Sequence, residues 1–372
     1  MSKFKTITFL WIFFLTIFVV FHFLIFSYFT SKVYPTTSKT TIGDLARMSY
    51  LVNIIQEREN KNDLNKMHLS QEQYHNEQID ILTIGDSFSN GNAGGKNSYY
   101  QDYISTFYNK SVLNLNAQEI NSSNNYIEII ALFANSGYLE EMGVKYVLIE
   151  SVQREALERF AKDDLNFYLK SDESLENVFA NLKKTYKIEE LYKLKPLLIN
   201  NLNFNAFLYN LKYYTKGYGK LNSSVYIEKL DKDLFTTKSP SELIFFHEDI
   251  NKLSLENKEK MELLNENFNK LANILNKKGI KLIFMPAVDK YNLYRPYIVS
   301  NEYKESIFFE YLSTLTKEYI FIDTKKILSD LLKDNTKDVF YADDTHWSYK
   351  ASEYIIKSNY FNDILFKGDI NE

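Results

Sequence analysis

Ile81-Leu-Thr-Ile-Gly-Asp-Ser-Phe-Ser-Asn-Gly91 (ILTIGDSFSNG) carries the reading of the whole chain. The apolar run over 79–84 ends at Gly85, which suits a buried strand. Ser87 follows just beyond the strand end, and in a parallel α/β fold that edge is where ligands bind. Gly85 permits a tight turn, and a helix beginning near Ser87 would aim backbone N–H groups at a developing oxyanion.

Strand and helix signals alternate outward from this block. Val112–Leu115 is a second strand, and a helical stripe over 126–142 is ended by Gly143. KYVLIE (145–150) is the next strand. A helix over 255–278 carries Met261, Leu264, Phe268, Leu271 and Leu275 at 3–4 spacing, with Gly279 placed as its C′ residue. KLIFM (281–285) follows, then a helix over 302–317, a strand over 319–322, a helix over 325–333 and a last helix from Trp347 to about 356. This order predicts an α/β domain over 77–360 with a central parallel sheet in three layers. The stretch 160–250 fits the alternation less well, mixing charge with Tyr and Phe around Pro196, Gly217, Gly219 and Pro240. It reads as an insertion or cap, and 361–372 as a C-terminal tail.

Upstream, TITFLWIFFLTIFVVFHFLIFSYF (6–29) is 24 residues without Asp, Glu, Lys or Arg. At ~1.5 Å per residue it spans the ~30 Å hydrocarbon core. Lys3 and Lys5 precede it, Lys32 follows it, and Ser31-Lys32-Val33 is a poor cleavage site. Residues 1–31 therefore read as an inside tail and uncleaved signal anchor, with the remainder on the extracytoplasmic side of the cytoplasmic membrane. His22 reads as a lone residue tolerated within the span. Residues 32–76 read as a stalk passing into a linking helix, with Leu45, Met48, Leu51, Val52 and Ile55 at helical spacing over 44–58.

Composition narrows the chemistry. The 372 residues are 45% apolar and 25% charged, which excludes a disordered chain, and there are no cysteines. Disulfides, Cys-bound metals and Cys nucleophiles are thereby excluded. A net charge of -4 argues against a large nucleic-acid-binding face. Ser87 is a weak nucleophile without a base, and only five histidines are available. His346 lies in YADDTHWS (341–348), before a helix and with Asp343 and Asp344 upstream. An acid that holds the imidazole tautomer completes a nucleophilic triad. The same cluster could instead cap a helix through Thr345 or Asp344, or bind a metal through Asp343, Asp344 and His346.

These blocks resemble the SGNH, or GDSL-like, hydrolase superfamily. More narrowly they are similar to its membrane-anchored branch related to alginate and peptidoglycan O-acetyltransferases. The resemblance rests on Gly85-Asp86-Ser87-Phe88, on Asp344-Thr345-His346-Trp347, on Glu150 and Arg154 in VLIESVQRE (147–155), and on Pro286, Asp289, Lys290, Tyr291 and Tyr294 in MPAVDKYNLY (285–294). It implies Ser87, His346 and Asp344 as catalytic residues, although the wider superfamily's Asp-x-x-His spacing would select Asp343. The chain departs from the superfamily where oxyanion donors are expected: VLNLNAQ (112–118) has Asn116 and Ala117 in place of a glycine, and Ser151 follows KYVLIE. The backbone N–H of Ser87, with Asn90, Asn92 or Asn116, is left to serve.

Glu150 and Arg154 read either as a surface i,i+4 pair or as a buried pair orienting the site. Lys290 reads as a solvated charge or as part of the site, and Trp347 as a flanking residue. The resemblance implies serine-dependent transfer of acetyl to a cell-envelope polysaccharide, with a multispanning membrane acyltransferase supplying acetyl and no cofactor held by this chain. A carbohydrate esterase, transfer of D-alanine to teichoic acids, or a non-catalytic scaffold of a polysaccharide-modification complex are the other readings.

Overall fold

The computed structural model describes residues 3–35, 41–58, 64–116, 125–179, 196–300 and 302–365. Helix α1 (Lys3–Ile25) opens the chain and runs through a π-helical turn to Val33, giving one N-terminal helix long and apolar enough to span a membrane. After it comes the short helix α2 (Asp44–Ser49). The helix expected over 44–58 stops there because Tyr50 adopts a left-handed conformation (φ 58°) and its carbonyl accepts the Asn210 amide at 3.0 Å. The apolar residues beyond it, Leu51 and Ile54, are buried without being helical.

A six-stranded sheet forms the body of the molecule. Its strands are β1 (Leu69–Ser70), β2 (Ile81–Gly85), β3 (Val112–Asn116), β4 (Tyr146–Val152), β8 (Lys281–Ala287) and β9 (Ile320–Phe321), in the order β1-β3-β2-β4-β8-β9. Every pairing in it is parallel. All positions of β2 and β4 are buried, so both faces are covered, as uninterrupted apolar strands require. The coverage comes from two groups of helices. In one, α4 (Tyr126–Asn135), α5 (Gln153–Phe160) and α9 (Phe308–Thr314) pack on α7 (Lys258–Asn276); in the other, α3 (Tyr100–Tyr108) and α10 (Thr324–Lys333) pack on α11 (Tyr349–Ile356). The chain leaves β2 for β3 on one side and returns to β4 on the other. Its direction therefore reverses at β2, which puts the end of that strand at the crevice where doubly wound sheets bind ligands.

Local chemistry sets the element ends. The Asn257, Asp323 and Ser348 side chains accept the backbone N–H of Lys260, Lys326 and Lys350 and so cap α7, α10 and α11. Gly279 (φ 74°) serves as the C′ residue of α7: its N–H reaches Asn276 O, and Ile280 N–H reaches Leu275 O. The helix expected over 302–317 forms only in α9, because Glu256 takes the N–H of Ile307 and Ser306 Oγ that of Phe308.

Within the stretch expected as an insertion, the described residues form helix α6 (Leu202–Lys216) and an antiparallel sheet of β5 (Gly219–Lys220), β6 (Val225–Lys229) and β7 (Glu242–Phe246). A second, smaller core joins this unit to the segment over 41–58: Leu45, Leu51 and Ile54 pack with Ala206, Val225, Ile227 and Ile244. Residues 41–58 are thus folded onto the domain, not extended as a stalk. At the far end, Phe361 and Leu365 are buried in a helix over Asn359–Leu365.

Candidate active site

Beyond β2 the chain makes a run of turns in place of the expected helix. Ser89 and Asn90 N–H bond Asp86 O, Asn92 N–H bonds Ser87 O, and the turns continue through Gly91 (φ 65°) to residue 93 before α3 begins. Ser87 is half-buried at the head of these turns. His346 Nε2 lies 2.7 Å from Ser87 Oγ, and His346 Nδ1 lies 2.6 Å from Asp344 Oδ1. Asp344 Oδ1 also accepts the His346 backbone N–H at 3.0 Å. Of the two aspartates, only Asp344 meets the imidazole. Asp343 turns away and accepts Gly43 N–H at 3.0 Å and Arg58 at 2.6 Å.

Burial favours the neutral imidazole of His346, but the Asp344 carboxylate overrides it and raises the pKa above the usual value. Burial likewise penalises the Asp344 anion; His346 and Arg58 outweigh that, and its pKa is lowered. The pair is therefore a pre-formed carboxylate–imidazole couple with its free nitrogen on the serine. Phe88 packs against His346 and against the edge of Trp347, with ring centroids 4.8 and 4.7 Å apart, which walls one side of the imidazole.

A network behind the serine holds its turn in place. Glu150 Oε2 accepts Asp86 N–H at 3.0 Å and Ser89 Oγ at 2.9 Å. A Cβ on Gly85 would come within 2.1 Å of Ser89 Oγ and 2.4 Å of Glu150 Oε2, so the glycine is required for close approach. Burial, then the nearby Asp86, pushes the Glu150 carboxyl well above its usual range. Asp86 is the opposite case. Burial opposes its charge, yet Arg159 at 2.5 Å and Val152 N–H at 2.8 Å lower its pKa.

Glu150 and Arg154, expected as a pair, do not meet. Arg154 spans to Asp249 at 3.2 Å and Asp289 at 2.9 Å. The oxyanion candidates also separate. Asn90 Oδ1 accepts the Asn114 amide at 3.2 Å, Asn92 uses its N–H on Ser87 O, and Asn116 stands opposite Gly85 with its N–H on Gln71. Ser87 N–H has no acceptor among the described residues, which leaves it available to an incoming oxyanion. Ala117 lies outside the described residues.

Lys290, the first residue of the short helix α8 (Lys290–Tyr294), is buried, not solvated. Its Nζ donates to the carbonyls of Tyr341, Ala342 and Asp344 at 2.8, 2.9 and 3.0 Å, pinning the loop that carries His346. Burial brings its pKa down to about 8. Sequence reasoning missed Arg58 and Asp44. Arg58 bonds Asp343 and Asp344 (3.1 Å to the latter) and stacks 4.2 Å over Tyr341. Asp44 accepts Thr345 N–H at 2.8 Å and Thr345 Oγ1 at 2.5 Å. Both come from about 300 positions upstream, and no local pattern marks them.

Asp44, Asp344 and His346 bring ligand atoms within 4.8 Å of one another. Both Asp44 oxygens are taken by Thr345, and both His346 nitrogens by Asp344 and Ser87. These donors form one hydrogen-bonded chain that ends on Ser87. No family profile, curated protein or solved structure matches this chain.

Proposed function

We propose that this protein is a membrane-tethered serine O-acyltransferase, an SGNH-type enzyme that moves an acetyl group onto a cell-envelope polysaccharide such as peptidoglycan or an exopolysaccharide. The observation that carries the reading is the continuous chain Ser87 Oγ–His346 Nε2, His346 Nδ1–Asp344 at the switch point of a parallel sheet. The motif likeness to the anchored O-acetyltransferases supplies the substrate class.

In this mechanism His346 takes the Ser87 proton as Oγ attacks the acyl carbonyl. The tetrahedral oxyanion sits at the free Ser87 N–H, and collapse expels the donor's leaving group with the proton from His346. A sugar hydroxyl then gives its proton to His346 and attacks the acyl-serine; collapse releases the ester, and His346 returns the proton to Ser87 Oγ. Tethering suits transfer: an enzyme held at the membrane meets a membrane-delivered acyl group at high effective concentration. A multispanning membrane acyltransferase is the proposed supplier, with the catalytic domain on the extracytoplasmic side.

The test is mass analysis of the native peptidoglycan and exopolysaccharide from cells carrying wild-type protein or S87A. Loss of O-acetyl groups from one polymer is the expected result. Unchanged acetylation in S87A, at equal protein level, overturns the reading; excess acetylation in S87A marks an esterase.

A further inference from the structure

Helix α6 is inside out for a helix facing water. Its buried face holds Asn203, Ala206 and Asn210, while Phe204, Phe207, Leu208, Leu211 and Tyr214 project outward along the other face. Leu208 is 54% exposed and Tyr214 72%. Leu197, just ahead of the helix, is 77% exposed, and residues 196–218 contain no Asp or Glu. A contiguous apolar face of this kind marks an interaction site.

Its location says with what. Phe21 of α1 meets Phe204 and Phe207 at centroid distances of 5.3 and 5.5 Å. His22, expected to be without a polar partner, lies 2.8 Å from the Asn203 amide, and Thr30 Oγ1 donates to Asn203 Oδ1 at 2.7 Å. The start of α6 is thus clasped to α1 between residues 21 and 30. Counted from Lys5, a ~30 Å hydrocarbon core is crossed in ~20 residues at ~1.5 Å each. The clasp therefore sits where α1 leaves the bilayer, and the outward face of α6 continues the lipid-facing surface of α1.

We propose that α6, with the apolar residues just before it, is embedded in the leaflet through which α1 emerges, at the boundary of acyl chains and headgroups. Lys212 and Lys216 supply the basic residues that favour such a position. The domain then has two attachments to lipid, which fix its tilt and the height of Ser87 above the surface. The inference rests on α1 crossing the membrane and is independent of the reaction assigned to Ser87.

The absence of native cysteine allows a direct test. Full-length L208C, L211C and Y214C proteins, labelled with a small environment-sensitive fluorophore, are reconstituted in vesicles of phosphatidylcholine and phosphatidylglycerol alone. F13C in α1 serves as the buried reference and K270C, at a half-exposed position of α7, as the aqueous one. The expected result is blue-shifted emission that is quenched by lipids brominated on their acyl chains, as for F13C and unlike K270C. Emission from all three α6 positions matching K270C overturns the proposal, and a protein partner in the membrane becomes the occupant of that face. Failure of F13C to be quenched also overturns it, by removing the spanning reading of α1.

Discussion

Asp343 and Asp344 are adjacent in sequence and share the Arg58 guanidinium, but only Asp344 also meets the imidazole, while Asp343 takes Gly43 N–H. D344N removes the acceptor that holds His346 in the right tautomer, and the proposed acyl transfer is expected to fall on the order of 10⁴-fold in protein that still folds. D343N leaves the imidazole contact untouched. Its cost is about 1–3 kcal/mol of stability from an under-satisfied buried Arg58, read as a lower denaturant midpoint. The pH profile follows from the raised His346 pKa. His346 must be neutral to act as base, so activity is lost as pH falls through a value above the ordinary ~6.5. Stability runs the other way: with Asp344 ionised, the contribution of His346 protonation is full below ~6.5 and is lost as pH rises through the folded value. Kinetics across pH 5 to 9 check the first statement; an acid limb centred below ~6.5 contradicts it.

Elements built from local signals are legible in the sequence, and those closed by distant residues are not. The apolar runs of β2, β4 and β8 read directly as buried strands, and Gly279 reads correctly as a helix stop because a left-handed C′ residue is a local demand. The turn after β2 reads wrongly as a helix, since its shape depends on Asp86 and Glu150 binding across two strands. Residues 41–58 mislead for the same reason. Nothing in their own sequence says that Arg58 and Asp44 will grip a loop numbered 343–345. R58M tests that grip. It strips a buried ion pair of one partner, and unfolding free energy should fall by about 3–5 kcal/mol, measured by denaturant titration. A fall below about 0.5 kcal/mol, the usual size of a surface change, would show that the segment is held only by its apolar contacts.

At the scale of the whole molecule, an apolar N-terminal helix, a small antiparallel unit and a parallel α/β body share one continuous chain of contacts. The segment over 41–58 lies in the smaller core and also holds the loop that carries His346, so the N-terminal helix and the site are mechanically joined. The strand alternation and the Ser, His and Asp blocks are readable as motifs; the coupling between the N-terminal helix and the site emerges only from the three-dimensional path. The central claim is that Ser87 is an acyl-accepting nucleophile driven by His346. Its most direct measurement is intact-mass and peptide mapping of full-length protein exposed to p-nitrophenyl acetate. One acetyl group on Ser87, formed in a burst and absent in H346A, is the predicted result. No adduct in folded wild-type protein, or equal labelling of Ser87 in H346A, contradicts the account.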